Sequence, residues 1–421
     1  MQHVSVVARL LLAGALIAVA AAPGCVPAPE PLTRAARLAL RDSTRDSIAR
    51  LRGPEWRAQH YPAVNLHGPF PRPIVFDTLA DPNDPLVYYR LGDSLRSALP
   101  GAADRAFYWA TRLDPTFADA YFARWALLRR DYSLREMPDG TIREVDRLPP
   151  GVLIPADSLL ATAIAYSPFL EGTIDVPRWI MRMTEDRASQ DPTTAGLRAY
   201  GKRDYRKATV EWAKALHKEP RRAMLRIARA YAWVRLNETD SAIADLSELI
   251  RHLESVERDS VVTPYFAKDF LYYAVGMLQG SQQRFGEART AFEHALLENL
   301  GFYMAHVRLA GTLAMLNDTT TALSELETAI LIRPDDPLVL VYDGSLLVGA
   351  GRVREGEQRL RAALRADSDY ALPHVFLGFA AEKRNDTTTA RAEYTEYLLR
   401  APRSASERVW ATQRLRAFLP R

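Results

Sequence analysis

Residues 303–336, YMAHVRLAGTLAMLNDTTTALSELETAILIRPDD, are the stretch that decides the fold of this chain. Apolar residues recur at helical spacing on both sides of the turn-forming segment LNDTTTA, residues 316–322, and Pro334 follows the second apolar run. Asn suits the end of a helix and Pro stops one, so the pattern predicts two helices joined by a short turn. Two helices joined in this way pack antiparallel, as a helical hairpin.

The hairpin pattern recurs with a period of 34 residues. Self-similarity at a fixed period of this size is typical of solenoids, in which each unit buries its apolar face against its neighbours. The six regular units start at Ser189, Ala223, Asp269, Tyr303, Pro337 and Ala371, and positions are counted below from these starts.

Particular residue types return at fixed positions of the units. Position 8 is always small, and its residues are Gly196, Ala230, Gly276, Ala310, Gly344 and Gly378. Position 20 is also small, with Ala208, Ala242, Ala288, Ala322, Gly356 and Ala390. Position 24 is large and apolar, with Trp212, Leu246, Phe292, Leu326, Leu360 and Tyr394. Small residues let two helices approach closely, and a bulky residue fills the space beside them.

This pattern, with Pro at position 32 in three units, resembles the tetratricopeptide repeat family. The resemblance implies an all-α fold, a right-handed superhelical solenoid of antiparallel helix pairs with about eight hairpins. It covers a regular array over 189–403 and less regular hairpins over 86–188, with an insert near 131–155. Residues 404–421 predict a C-terminal capping helix, which covers the last apolar face of a repeat array.

The turns inside three hairpins share one sequence pattern. They read LNETDSA at 236–242, LNDTTTA at 316–322 and RNDTTTA at 384–390. Asn tolerates the left-handed conformation at the end of a helix, and the Asp, Thr or Ser that follows can cap the next helix.

Residues 1–24 predict a signal peptide. Arg9 precedes an apolar run, Leu10–Ala22, that is shorter than the about 20 residues a bilayer span needs. The single cysteine of the chain, Cys25, follows this run, so no internal disulfide can form. The segment therefore predicts export from the cytoplasm.

The sequence around Cys25 resembles a bacterial lipoprotein signal. The resemblance implies cleavage after Gly24 and a lipid on Cys25, although Ala22 and Pro23 depart from the usual Leu and Ser or Ala of such signals. The alternatives are plain secretion without a lipid, and an unprocessed anchor or a Cys that is there by chance. Residues 25–85 would form a lipid-anchor tether and a Pro-rich segment, since Pro disfavours helix at each residue that precedes it.

Composition and motifs argue against several classes of function. The net charge is +4, and Arg alternates with Asp and Glu on the predicted helix faces, which indicates a solvated surface and no nucleic-acid partner. The chain has no HExxH, GxSxG or GxxxxGK[ST] motif. We therefore predict no enzyme, no cofactor and no metal site, and expect His306 and His374, both at position 4, to pack in the interior.

In the tetratricopeptide repeat family, positions 2, 5, 9, 12 and 13 of each first helix line a concave groove. The resemblance implies a protein or peptide partner in an apolar groove lined by Met224, Ile227, Tyr231, Phe270, Tyr273, Met277, Met304, Val307, Met315, Leu372, Val375 and Phe379. Met repacks and aromatic residues anchor, which suits an amphipathic helix or an extended apolar peptide. Alternatively, positions 2 and 5 pack inside the solenoid, or another segment of the chain fills the groove.

Taken together, these features predict a non-enzymatic protein–protein interaction scaffold, lipid-anchored to the bacterial cell envelope. Val26 replaces the Asp that retains some lipoproteins at the inner membrane, which favours the outer membrane, facing the periplasm. One alternative is a glycan- or nutrient-binding outer-membrane lipoprotein that uses some of the seven Trp residues. Another is an enzyme that uses the 131–155 insert.

Replacing Cys25 with Ser removes the thiol that would carry the lipid, so we expect the Cys25→Ser variant to move from the membrane to the soluble fraction. Immunoblots of fractionated cells measure this shift. Val26→Ala, which keeps the thiol, is the matched control and should stay with the membrane. Unchanged membrane association of Cys25→Ser would exclude a lipid at this residue.

Overall fold

The structure is a computed structural model, and it describes residues 70–75, 79–96, 98–130, 135–136, 142–143, 150–169, 191–220, 222–256 and 268–418. The predicted signal peptide, Cys25 and most of the Pro-rich segment lie outside these residues. The described residues form two compact units. The discontinuous unit comprises those of Ser43–Ser167 and Leu323–Arg421, and the continuous unit comprises those of Pro168–Ala322.

In chain order, the first helices are α1 (Pro85–Leu95), α2 (Pro100–Leu113), α3 (Ala118–Arg130) and α4 (Pro150–Tyr166). Between α3 and α4, β1 (Arg135–Glu136) pairs antiparallel with β2 (Ile142–Arg143). The predicted insert thus contains a short strand pair. Its C-terminal boundary, placed near 155 from the sequence, is wrong, because a Pro at the first helical position starts α4 at Pro150.

The continuous unit contains α5 (Pro192–Gly201), α6 (Tyr205–Lys218), α7 (Ala223–Arg235), α8 (Thr239–Val256), α9 (Lys268–Ser281), α10 (Phe285–Glu298) and α11 (Tyr303–Met315). Helix α12 (Thr319–Ile332) contributes residues to both units. The discontinuous unit continues with α13 (Pro337–Gly349), α14 (Val353–Ala366), α15 (Leu372–Lys383), α16 (Thr387–Arg400) and α17 (Glu407–Ala417). None of these described helices has the length and hydropathy of a bilayer span.

The predicted all-α class of antiparallel helix pairs is confirmed. Contacts join seven pairs of consecutive helices, namely α1/α2, α3/α4, α5/α6, α7/α8, α9/α10, α13/α14 and α15/α16, and α17 follows the last pair. In the six regular repeats, the helices of each pair are joined by only three residues, such as 202–204 and 316–318. A connection this short forces the second helix back along the first.

The middle residue of each three-residue turn, at position 15, has a positive φ. These residues are Arg203, Asn237, Gln283, Asn317, Gly351 and Asn385, with φ from 61° to 87°. The prediction of a left-handed Asn is therefore confirmed at three turns, and Arg203 and Gln283 adopt the same conformation. The predicted capping is also present, since Asp318 accepts a hydrogen bond from Thr321 N at 3.1 Å and Asp386 accepts one from Thr389 N at 3.0 Å.

A glycine at position 8 faces an aromatic ring at position 24 in several hairpins. A Cβ atom added to Gly276 would lie 2.7 Å from Cε1 of Phe292, and one added to Gly378 would lie 2.4 Å from Cε1 of Tyr394. The pair Gly196–Trp212 and the equivalent pair Gly92–Phe107 in the first hairpin show the same geometry, at 2.4 and 2.6 Å. The ring thus occupies the space that a side chain at position 8 would need. Repeats with Ala at position 8 carry the smaller Leu at position 24.

The repeat that starts at Pro337 uses a different close approach. Gly344 at position 8 meets Leu360, and a Cβ atom on Gly356 at position 20 would lie 2.6 Å from the carbonyl oxygen of Gly344. Two facing glycines therefore bring the backbones of α13 and α14 together. Position 20 is buried in the other regular repeats as well, with Ala208, Ala242, Ala288, Ala322 and Ala390 fully covered.

Within the discontinuous unit, the first hairpin contacts residues near the C-terminus. Arg112 Nη2 lies 2.9 Å from Asp367 Oδ1 and 3.0 Å from Asp369 Oδ2, in the segment between α14 and α15. Asn83 Nδ2 donates to the Leu399 carbonyl at 2.7 Å, and the Arg403 N–H donates to Asp81 at 2.5 Å. Polar contacts thus join residues more than 250 positions apart in the sequence.

The predicted terminal helix is present as α17 and lies against the last hairpin. Trp410 packs on Tyr394 edge to face, with ring centroids 5.4 Å apart. Arg414 Nε donates to Glu382 Oε1 at 2.9 Å, and the Tyr397 hydroxyl donates to Glu407 at 3.3 Å. Helix α17 therefore covers apolar surface of the last repeat.

Adding a methyl group at Gly276 forces Phe292 out of place, so we expect Gly276→Ala to lower the free energy of unfolding by about 1–3 kcal/mol. Gly311→Ala is the matched control, because a Cβ atom there meets nothing within 4 Å. It should raise stability by about 0.5–1 kcal/mol through its helix propensity. Combining Gly276→Ala with Phe292→Leu recreates the Ala–Leu pair of other repeats and should recover part of the loss. Equal urea-unfolding midpoints for the two single variants would contradict the contact.

Removing Arg112 leaves the buried Asp367 carboxylate without its nearest cation. Burial raises the pKa of Asp367 to about 6, and Arg112 opposes that rise. A folded-state pKa above the unfolded value means that stability is highest with Asp367 protonated and falls as the pH rises through about 6. Without Arg112 the pKa rises further, which increases the cost of the ionised form.

We therefore expect Arg112→Ala to cost about 2 kcal/mol near pH 8 and clearly less near pH 5. Thermal melts at both values measure the difference. Arg105→Ala, at an exposed position of the same helix, is the control and should change little at either pH. An equal loss at both values for Arg112→Ala would show that Asp367 is not the affected group.

Candidate partner-binding surface

The residues predicted to line a groove differ in exposure. Tyr231, Tyr273, Met304, Val307 and Val375 are buried, with at most 7% of their surface exposed. Ile227, Phe270, Met277, Met315, Leu372 and Phe379 are half-buried. The side chain of Met224 lies outside the described part of the structure. Only the half-buried group presents apolar surface to a partner in this structure.

The buried residues at positions 2 and 5 belong to the core, which is one of the alternatives that the sequence left open. Tyr273, at position 5 of α9, is fully covered. Its ring lies 5.8 Å from Phe292 of the same hairpin and 4.7 Å from Phe302, which directly precedes α11. The residue that precedes the next repeat thus covers the side chain at position 5 of α9. Met304, Val307 and Val375 are buried to a similar degree.

In the continuous unit, three half-buried apolar residues lie on adjacent first helices. Phe270 and Met277 are seven residues apart on α9 and therefore share one face, and Met315 lies on α11, which contacts α9. Gly311 on α11 occupies position 9, as Met277 does on α9, and open space surrounds its Cα. We call Phe270, Met277 and Met315 the Met–Phe patch.

In the discontinuous unit, the predicted groove residues are partly covered by the chain. Phe379 packs against Trp410 of α17 at 6.4 Å, and Lys383 Nζ lies 5.2 Å from the centre of the Phe379 ring. Leu372 is half-buried at the start of α15. Helix α17 therefore covers part of this apolar face.

Beside α7, the continuous unit holds a segment of its own chain. The Tyr231 hydroxyl donates to the Pro168 carbonyl at 2.5 Å, and Arg235 Nη2 donates to the Phe169 carbonyl at 3.1 Å. The Phe169 ring lies 5.3 Å from the Tyr231 ring, at an interplanar angle of 66°. Tyr231 and Arg235, at positions 9 and 13, thus bind a dipeptide 63 residues away from Tyr231 in the sequence.

Ion pairs with a buried carboxylate recur at positions 7 and 23, with the acid and the base exchanged between repeats. In α7 and α8, Arg229 Nε donates to Asp245 Oδ2 at 2.8 Å, and Trp233 Nε1 donates to the same oxygen at 3.1 Å. In α13 and α14, Asp343 takes position 7 and lies 2.8 Å from Arg359 Nε at position 23. Burial raises the pKa of Asp343 to about 6 despite the nearby guanidinium. These pairs connect the two helices of one hairpin.

The two histidines singled out in the sequence are interior residues, as predicted. His306 is 4% exposed, and its Nε2 lies 3.1 Å from the Leu300 carbonyl oxygen. His374 is 9% exposed, and its Nδ1 lies 2.7 Å from Glu393 Oε2. Within the described ranges, His, Cys, Asp and Glu form no cluster of three or more that could bind a metal ion.

Described tryptophans are engaged inside their units. Trp212 is fully buried, as its position in the repeat predicts, and Trp109 Nε1 donates to the Phe70 carbonyl at 3.0 Å. Trp125 is half-buried beside Phe122, with ring centroids 5.1 Å apart. Trp56 and Trp179 lie outside the described residues. Trp212 therefore belongs to the core, whereas Trp109 and Trp125 keep part of their surface exposed.

Comparison with known families identifies the repeats. Residues 273–337 and 344–406 match the family model described as tetratricopeptide repeat. The match covers less than a third of the chain, and over these two ranges it agrees with the resemblance found in the sequence. Among curated proteins, none is significantly similar to this chain in sequence.

Several solved structures share similarity with part of the chain. Residues 41 to the end of MamA from Desulfovibrio magneticus RS-1 are 21% identical, with a TM-score of 0.37 over 42% of this chain and 93% of that chain. YrrB, described as a TPR protein with an unusual peptide-binding site, is 20% identical, with a TM-score of 0.37 over 48% and 96%. A tetratricopeptide repeat protein from Parabacteroides merdae ATCC 43184 is 14% identical, with a TM-score of 0.36 over 79% and 97%.

Proposed function

We propose that this chain is a non-enzymatic scaffold that binds a partner protein through the Met–Phe patch of its continuous unit. Tetratricopeptide repeats act as protein-interaction modules. The range 273–337, which matches the family model, contains Met277 and Met315. The observation that carries the proposal is the exposure of this patch. Phe270, Met277 and Met315 remain half-exposed, while the neighbouring residues at positions 2 and 5 of α9 and α11 are buried except for Phe270 itself.

The chemistry of the patch supports a helical or extended apolar partner segment. An aromatic ring anchors a partner, and the two flexible thioethers adapt to its shape. Open space around Gly311 lets a partner side chain approach the backbone of α11. An apolar anchor entering this space would lose its contact with water, which favours binding.

We further propose that a lipid on Cys25 attaches the scaffold to the cell envelope, at the outer membrane and facing the periplasm. The support for this part is the sequence alone, namely the apolar run Leu10–Ala22 followed by Gly24 and Cys25, and Val26 after them. A lipid anchor would concentrate the Met–Phe patch at the membrane surface, where a scaffold would meet membrane-associated partners.

Site-specific photo-crosslinking in intact cells tests the partner surface. A photoreactive phenylalanine in place of Met277 should capture the same envelope protein in repeated experiments, identified by mass spectrometry. Leu297 is the matched control, because it is apolar, 40% exposed and located on the second helix of the same hairpin. Equal capture from both positions would contradict a specific site on the first helices.

Charge placed on the patch should release the partner without unfolding the chain. Met277→Glu combined with Met315→Glu alters half-buried residues only, so we expect helical content to be retained and capture from Phe270 to fall at least about tenfold, since a buried unpaired charge costs about 1.4 kcal/mol or more. Full capture by a folded double variant would overturn the assignment. Capture of an oligosaccharide in place of a protein would favour the glycan-binding alternative.

A further inference from the structure

The contact between α7 and the segment Pro168–Phe169 has the properties of a bound peptide. Helix α4 ends at Tyr166, and the two residues lie in a turn just beyond it. Both hydrogen bonds that α7 donates to them go to main-chain carbonyls, those of Pro168 and Phe169. Carbonyl recognition depends on the path of the backbone, which a partner peptide in the same turn conformation can supply.

The Phe169 side chain supplies the apolar part of the contact. Its ring packs on Tyr231, and it touches both hydrophobic clusters of the continuous unit that flank α7. Ile227, one turn before Tyr231 on α7, packs against the same two clusters. A ring that inserts between two clusters acts as an anchor residue, and anchors of this kind dominate the energy of peptide recognition.

Pro168 also favours binding of its segment to α7. Its ring fixes φ and biases Ser167 toward an extended backbone, which lowers the entropy lost when the segment is held. Pro has no N–H, so its carbonyl is its only main-chain hydrogen-bonding group, and Tyr231 satisfies it. Pro168 is buried, and Phe169 is half-buried.

We propose that Ile227, Tyr231 and Arg235 form a second peptide site, occupied in cis by Pro168–Phe169, that accepts a partner segment of the same chemistry. That segment carries an aromatic residue directly after Pro and presents consecutive carbonyls to Tyr231 and Arg235. The inference rests on the proposed function in that it adds a regulated site to the scaffold. It differs from the Met–Phe patch in its residues and in being self-occupied.

Covalent attachment makes the cis segment a strong competitor. Because Pro168–Phe169 and α7 belong to one chain, their contact is intramolecular and does not depend on the protein concentration, so even a weak site is filled in cis. A partner peptide then binds only to the fraction of molecules from which Pro168–Phe169 has withdrawn. The site is therefore closed in the resting chain and opens for a partner that outcompetes Phe169.

Binding of a synthetic peptide in trans tests the proposal. The probe is a fluorescent peptide with the sequence SPFLEGT, residues 167–173, acetylated at its N-terminus and amidated at its C-terminus. We expect saturable binding to Phe169→Ala, in which the cis anchor is removed, and binding at least about tenfold weaker to the unaltered chain. Fluorescence anisotropy measures both affinities.

Three controls define the chemistry of the site. A peptide with Ala in place of Phe should lose binding to Phe169→Ala, and so should the SPFLEGT probe when Arg235→Ala is added. Tyr231→Phe, which removes only the hydroxyl, should weaken binding by about fivefold to tenfold, the value of one hydrogen bond. Absence of saturable binding, equal binding of the Ala peptide, or equal affinity for the altered and unaltered chains would each overturn the proposal.

A second measurement covers the case in which Phe169→Ala does not fold. The full chain with a trifluoromethylated phenylalanine at position 169 is titrated with the unlabelled peptide and followed by fluorine NMR. Displacement should shift the signal towards that of a solvent-exposed ring, whereas an unchanged signal at saturating peptide would overturn cis occupancy. Crosslinking from Met277 does not depend on the peptide titration or the NMR signal. If the peptide site fails these tests, the proposed function of the Met–Phe patch is unaffected, and a failure of the crosslinking experiment leaves the peptide site unaffected.

Discussion

The close contact between position 8 of the first helix and position 24 of the second is the constraint on which each hairpin depends. In four hairpins a glycine leaves the space that Phe107, Trp212, Phe292 or Tyr394 fills, so the backbone distance between the helices is set by one ring. Because the ring is rigid and buried, it also fixes the rotation of each helix. That rotation decides which residues of the first helix enter the core and which remain at the surface.

Local features of the fold could be predicted from the sequence because they depend on neighbouring residues. The Asn residues at 237, 317 and 385 indicated left-handed turns, and all three have a positive φ. Arg203 and Gln283 gave no such signal, since neither residue type favours that conformation. Their geometry follows from the three-residue connection between helices that pack closely, so the tertiary contact determines the backbone there.

The candidate surfaces were harder to predict because they depend on residues far apart in the chain. Periodicity placed Tyr273 on a groove-facing position, but Phe302 covers it from the segment that precedes α11. The Phe169–Tyr231 contact could not be predicted from either residue's repeat position. Similarly, position 7 holds the base of the pair Arg229–Asp245 but the acid of the pair Asp343–Arg359. No single residue type at position 7 or 23 therefore predicts such a pair.

The contact of Arg112 with Asp367 and Asp369 has a consequence for the order in which the chain acquires structure. In the continuous unit the contacts between helices join elements that are close in sequence, so that unit can fold while the chain is still being synthesised. The discontinuous unit has to close a loop of 257 residues before Arg112 meets Asp369. Until then the side chains of Arg112 and Asp369 are solvated by water. A chain whose last hairpins are not yet synthesised therefore lacks the polar partners of Asp81, Asn83 and Arg112.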